Sequence, residues 1–189
     1  MIVFYDLETT GLLNPHRDLP GIIQIAAVKV DSLGKIIETF NMAVDPEINP
    51  NDWEKGAIRT TGIGPEDVRS RPTLFTVLPL FANFMVGTRV LAGYNILGFD
   101  DIVLDKNLKR YAFDRCFPWP PKRLDVMDVA VQHMNMKGNR GAKRPKLEEL
   151  YKQEFDESFD DAHDALADVL ATAKVGLKIA EIELSRLMK

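Results

Sequence analysis

Two acids close the first apolar run of the chain. Ile2, Val3, Phe4 and Tyr5 lead into Asp6, and Glu8 follows two positions later, in the stretch M-I-V-F-Y-D-L-E-T-T-G-L. Side chains in an extended strand alternate with a period of two, so Asp6 and Glu8 share a face. Adjacent carboxylates repel, and burying either one unpaired is costly or raises its pKa. A positive partner between them would resolve the conflict. A divalent cation with oxygen ligands is one such partner, and a pair of Arg or Lys neighbours is another. Two solvent-facing acids at a strand terminus would give the same pattern, and D-x-E by itself leaves these readings open.

Two later stretches add acids and a histidine. In G-Y-N-I-L-G-F-D-D, residues 93–101, a short apolar strand runs into a helix start. Asp100 then falls in the first turn, where the helix dipole favours an acid whether it is a ligand or a cap. In A-H-D-A-L-A-D, residues 162–168, His163 precedes Asp168 by five positions. That is about 140° around a helix. The two converge only if His163 lies on the loop or first turn and Asp168 projects from the helix proper. His163 taken alone also reads as a solvated cap histidine. Asp164 shares a face with Asp168 and is a rival ligand; the preferred reading makes it the N-terminal acid of the helix. Asp125 and Asp128, in R-L-D-V-M-D, read as helix-start acids rather than ligands.

The elements that must position these residues follow from periodicity. The run 2–5 shows no polar alternation, the signature of a strand covered on both faces at the centre of a sheet. Residues 22–30 read as a second strand, D-S-L-G at 31–34 as a turn, and 36–44 as an alternating third strand. Short links between them imply an antiparallel meander. An amphipathic helix is predicted over 72–86, an apolar strand over 89–94 and a helix from about 99 to 111. Residues 124–136 are a strand or a helix, and 147–151 a short helix. A last helix starts within 161–164 and runs almost to 189. A meander followed by α/β units predicts the α/β class with a mixed sheet.

Composition bounds the function. At 189 residues and 46% apolar, the chain can form one domain of ordinary size with a proper core. The single cysteine, Cys116, excludes an intrachain disulfide framework and a Cys-rich zinc site. A reduced, cytoplasmic setting is expected. No apolar run approaches the length of a membrane span, and the first residues lack a secretory pattern, so no membrane association is expected. A formal charge of −4 argues against coating duplex DNA by charge alone. Bound divalent ions would change that local field. K-G-N-R-G-A-K-R-P-K, residues 137–146, is the only dense basic stretch, with Lys137, Arg140, Lys143, Arg144 and Lys146. It is either a solvated loop or a clamp on phosphates.

Taken together, D-x-E in the first strand, N-x-x-x-F-D in the middle and H-x-x-x-x-D near the end resemble the DEDDh 3′→5′ exonucleases. The resemblance covers nearly the whole chain. The exodeoxyribonuclease I branch is the nearest, through T-G-I-G-P-E at 61–66, G-Y-N-I-L-G-F-D-D and A-H-D-A-L-A-D-V-L-A-T. Proofreading subunits of replicative polymerases are more distant, usually with one residue fewer between the Asn and the Phe. The resemblance implies a ribonuclease H-like fold, a mixed five-stranded sheet with an N-terminal antiparallel meander flanked by helices, with residues 1–189 as a single exonuclease domain. It implies that Asp6, Glu8 and Asp168 hold one Mg²⁺ or Mn²⁺. Asp6 would bridge to a second ion, with Asp100 contributing directly or through water. Two such ions clamp the attacking and leaving oxygens of an in-line displacement at phosphorus. His163 would take the proton of the attacking water; an unperturbed pKa of about 6.5 suits that role.

An exonuclease must also hold an unstacked 3′ end, and bases stack on apolar or aromatic surfaces. The resemblance places Leu12 against the terminal base and Thr9 against the terminal sugar. Tyr94, Asn95 and Phe99 border the second motif, and Phe99 reads more readily as core packing. Lys143 and Arg144 would grip phosphates upstream. The implied activity is release of nucleoside 5′-monophosphates from the 3′ ends of single-stranded DNA. An exoribonuclease with the same mechanism, or an inactive nucleic-acid-binding module, are the alternatives. Replication or repair proteins are the expected partners. The further domains of exodeoxyribonuclease I have no counterpart in these residues, so a long grip on the strand is not expected.

Overall fold

The computed structural model describes residues 1–134, 137–138, 141–159 and 164–188, and side chains for all of these except 137, 138, 141 and 142. The chain opens with β1 (Ile2–Thr9), β2 (Ile22–Val30) and β3 (Ile36–Ala43). A 3-10 turn at Pro50–Asp52 is followed by α1 (Lys55–Thr61), α2 (Pro65–Val68) and α3 (Leu74–Met85). β4 (Val90–Gly93) leads to α4 (Asp100–Arg110), and β5 (Lys122–Asp125) to α5 (Val126–Met134). A small hairpin of β6 (Lys137–Gly138) and β7 (Gly141–Ala142) precedes α6 (Leu147–Phe155), α7 (Ala165–Ile179) and α8 (Glu181–Leu187).

The main sheet runs β3-β2-β1-β4-β5. β2 is antiparallel to both β1 and β3, while β4 is parallel to β1 and to β5. This is the mixed five-stranded sheet with a leading meander that the sequence predicts. Alternation along β1 builds two cores. Ile2 and Phe4 face α5, α6 and α7, packing with Val126, Leu150, Val169 and Ala173. Val3, Tyr5 and Leu7 face α3 and α4, packing with Leu78, Phe81, Val103 and Leu104. Burial on both faces explains why the opening run carries no polar alternation.

The central strands part at their carboxyl ends. β1 pairs with β4 only from Ile2↔Val90 to Phe4↔Ala92. Gly93 stands at the fork. A Cβ there would lie 2.6 Å from the Tyr5 carbonyl oxygen and 2.2 Å from Ile96 Cγ2, so only glycine lets the strands come this close before separating. The chain leaves β1 towards β2 on one side of the sheet, and β4 lies on the other. Such a reversal opens a crevice at the strand ends, where open α/β sheets place their sites.

Three segments depart from the sequence reading. Residues 50–68 form three short helical turns that no pattern announced. α1 buries none of its residues, so it has no apolar face for periodicity to reveal. Residues 124–136 are both alternatives in turn, since β5 ends at Asp125 and α5 begins at Val126. The last helix is not continuous. It breaks at Ala180, which is fully buried with φ −105° and ψ 20°, and α8 turns to set Leu184 against the first core. Neither glycine nor proline marks that break.

Candidate active site

Asp6 and Glu8 leave β1 on the face covered by α7, while Leu7 between them is buried on the other face. α7 packs its Ala165, Val169 and Ala173 into the core around Phe4, which holds its N-terminal end over the end of β1. Asp168 lies in the first turn of α7. Ligand oxygens of Asp6, Glu8 and Asp168 all fall within 4.8 Å of one another, the only such acid cluster among the described residues. All three are half-buried, so the solvent-facing alternative does not hold.

Asp164 is the helix cap that the sequence favoured. Its Oδ1 accepts hydrogen bonds from Leu166 N at 3.0 Å and Ala167 N at 3.1 Å. Gln24, opposite Glu8 in the β1–β2 ladder, donates from Nε2 towards Asp164 Oδ2 at 3.4 Å and to Asn41 Oδ1 at 3.0 Å. His163 lies outside the described residues.

The electrostatics are those of an acid cluster drawn out of water. Burial, then the charges of Asp168 and Asp164, pushes the Asp6 carboxyl well up. Glu8 is pushed up to about 9 by burial, then by Asp6, Asp168 and Asp164. No ion pair to Asp6 or Glu8 occurs among the described residues, so the Arg or Lys alternative is not what gathers them. Acceptor-only oxygens, converging and mutually repelled, suit a hard divalent cation such as Mg²⁺ or Mn²⁺.

Asp100 opens α4 and is 3% exposed. Its Oδ1 accepts from Leu7 N at 3.0 Å, taking a backbone donor that β4 no longer reaches. Burial, then the Asp6 charge, holds its carboxyl well above the usual range. Asp100 therefore stands near Asp6, though outside the close triangle of Asp6, Glu8 and Asp168. The preceding turn is tied from β5. Asp125 accepts from Asn95 N at 2.9 Å, Leu97 N at 3.1 Å and Met127 N at 3.1 Å. It thus caps α5, as the sequence suggested, and also fixes the loop that delivers Asp100.

The residues expected at the substrate are placed as follows. Leu12 is 69% exposed on the turn that follows the acids, and it borders a cavity of about 1350 Å³ that Arg17, Trp53 and Arg110 also line. The Thr9 hydroxyl donates to the Gly11 carbonyl at 2.7 Å, which leaves it acceptor capacity. Asn95 adopts φ +63°, a conformation that asparagine tolerates better than most residues, and its carbonyl accepts from Gly98 N and Phe99 N. Phe99 packs against the second core, the reading the sequence favours for it. Tyr94 packs against the first, and its hydroxyl donates to the Pro145 carbonyl at 2.7 Å, anchoring the basic segment. Within that segment Lys143 pairs with Glu149 at 2.6 Å and Arg144 is exposed. Arg140 lies outside the described residues, as does the side chain of Lys137.

Residues 3–175 match the RNase_T exonuclease family. The PolC-type DNA polymerase III of Clostridium perfringens is 37% identical over 106 residues, 56% of this chain and 7% of that protein. Its counterpart in Caldanaerobacter subterraneus is 38% identical over 93 residues, 49% and 6% of the respective chains. E. coli exonuclease I in complex with a dA16 oligonucleotide superposes with a TM-score of 0.78 at 27% identity, over 98% of this chain and 42% of that one. The zinc-bound complex of the same enzyme with single-stranded DNA gives 0.78 and 28%, over 99% and 41%. The chain thus spans less than half of exonuclease I and a small fraction of the polymerases. With its mixed sheet, its leading meander and its acids at the parting of β1 and β4, the chain has the ribonuclease H-like fold and belongs to the RNase_T exonuclease family.

Proposed function

We propose that residues 1–189 form one exonuclease domain that hydrolyses single-stranded DNA from the 3′ end and releases nucleoside 5′-monophosphates. The observation that carries this reading is the convergence of Asp6, Glu8 and Asp168 oxygens within 4.8 Å, in surroundings that raise the Asp6 and Glu8 pKa values. A bound cation would stabilise such a cluster in its ionised form. Asp6, Glu8, Asp100 and Asp168 would hold two Mg²⁺ or Mn²⁺. Bound there, the ions supply positive charge at the scissile phosphate and a more acidic water.

The chain's own residues do the rest. His163 takes the proton of the attacking water. Leu12 offers an exposed apolar edge to the terminal base, and Thr9 an acceptor to the terminal sugar. Asn95 and Phe99 shape the turn beneath, with Tyr94 holding the basic segment beside it. Lys143 and Arg144 meet phosphates further along the strand. The Lys143–Glu149 pair is solvent-exposed, and such pairs contribute at most about 1 kcal/mol, so a phosphate can displace Glu149. DNA as substrate draws support from the oligonucleotide complexes of exonuclease I and from the polymerase relatives, which also suggest a replication or repair setting.

The test is a panel of labelled oligomers: single-stranded DNA, duplex DNA and RNA of one sequence, each with Mg²⁺ and with EDTA. The expected result is Mg²⁺-dependent degradation with single-stranded DNA fastest. RNA degraded faster than DNA would overturn the substrate. No degradation of any oligomer, with binding retained, would make the chain a binding module.

A further inference from the structure

Asp6 and Asp100 stand on different elements, β1 and α4. Something must hold those elements at a fixed spacing. The Leu7 N–H bond to Asp100 is one tie. A second lies on the opposite face of β1. Tyr5, the residue before Asp6, donates its hydroxyl to Asp101 Oδ1, and Asp101 is the residue after Asp100. The other Asp101 oxygen accepts from Arg123 Nε of β5 at 2.8 Å. Arg123 is itself fixed. Its Nη1 donates to the Pro120 carbonyl at 2.5 Å, and its guanidinium lies 4.7 Å from the Trp119 ring centre.

This chain of polar groups is sheltered. Tyr5 is 1% exposed, and the Asp101 and Arg123 side chains are 17% and 25% exposed. Apolar residues of similar volume would pack this position at least as stably as a buried ion pair. What the polar chain adds is a defined geometry across three elements, by directional bonds at both ends of Asp101. We propose that Tyr5, Asp101 and Arg123 form a positioning clamp that sets the separation of Asp6 and Asp100, and with it the affinity for a divalent cation shared by those two acids. The proposal rests on the reading of Asp100 as a ligand.

Mn²⁺ titration of the protein alone, with free Mn²⁺ followed by electron paramagnetic resonance, tests it without turnover. Tyr5→Phe removes one oxygen and keeps the ring. The expected result is about a tenfold loss of affinity at the weaker Mn²⁺ site, with the stronger site unchanged, as for residues that orient ligands from behind. Asp101→Asn should act in the same direction, and Arg123→Lys, which keeps the charge but not the planar fork, should lose less than Arg123→Ala. The Mn²⁺ concentration for half-maximal nuclease rate should rise in parallel, with the rate at saturating Mn²⁺ largely kept. Asp100→Asn is the control and should abolish the weaker site. If it leaves both sites intact, the reading of Asp100 fails and the clamp with it. If Asp100→Asn abolishes the site while Tyr5→Phe and Asp101→Asn bind Mn²⁺ like wild type, the clamp is overturned and the ligand reading stands.

Discussion

Glu8 shows what the site costs the folded chain. Burial and its neighbours raise its pKa from 4.5 to about 9. Between those values the folded state keeps a proton that the unfolded state has lost. Stability is therefore greatest below the lower value and declines as pH rises towards 9. In EDTA, the melting temperature should fall between pH 5 and pH 9. Glu8→Gln should flatten that decline and be the more stable protein at pH 8. A divalent cation should reverse the loss while displacing protons. Thermal melts across pH, with and without Mg²⁺, check this; a Glu8→Gln variant less stable than wild type in EDTA at pH 8 would contradict it. Leu12 is the converse case, an exposed side chain whose loss should not matter to the fold. Leu12→Ala should shift stability by no more than about 0.5 kcal/mol. If the ring of a terminal base rests on it, at about 1–3 kcal/mol per stacked base, kcat/KM on single-stranded DNA should fall roughly fivefold or more. Unchanged kinetics would remove Leu12 from the substrate path.

At the scale of elements, α7 and β1 must stay in register for Asp168 to meet Asp6 and Glu8. Gly176 sets how closely they approach: a Cβ there would lie 2.9 Å from Phe4 Cε1 and 3.1 Å from Val126 Cγ2. Alanine is the better helix former by about 1 kcal/mol. Both neighbours are fully buried, however, and overpacking costs about 1–3 kcal/mol. Overpacking should win, so Gly176→Ala should lower stability by about 1 kcal/mol in urea titration and reduce the nuclease rate. A stabilised variant would show that the helix has room. The elements also show what a sequence can reveal. β1 was legible as a central strand because both of its faces are apolar, and α7 because Asp164 and the apolar run after it mark a helix start. α1 was hidden because it buries nothing. The break at Ala180 was hidden because packing, not a breaker residue, makes it. Asp6, Glu8 and Asp168 could be paired on paper by motif order. The Tyr5–Asp101 bond joins residues 96 apart with no local pattern to announce it, and Asp125 hid its tie to Asn95 behind an ordinary helix-start role.

For the molecule as a whole, one parting of strands explains the site. β1 and β4 run parallel and cease to pair after Phe4 and Ala92, and at these strand ends α7 brings one acid and α4 another. Net charge is −4, so a nucleic-acid strand would have to be held by local contacts rather than by the overall field. Neutralising Lys143 and Arg144 together should raise KM for long single strands more than for dinucleotides, and flatten the salt dependence by about 0.7 per lost phosphate contact. Equal KM values on long strands would leave the basic segment without a role. His163→Ala should slow turnover about 10²–10⁴-fold while cation binding is kept, since the acids remain. Loss of cation affinity in that variant would make His163 a ligand instead. The central claim is that the acids at this parting form a cation-dependent nuclease centre that works from the 3′ end. It is tested most directly by single-turnover degradation of 3′-labelled and 5′-labelled single-stranded DNA by wild type and Asp6→Asn in Mg²⁺. Wild type should release the 3′ label at once as a 5′-mononucleotide and the 5′ label late, and Asp6→Asn should release neither. Early release of the 5′ label, or ordinary activity in Asp6→Asn, would contradict it.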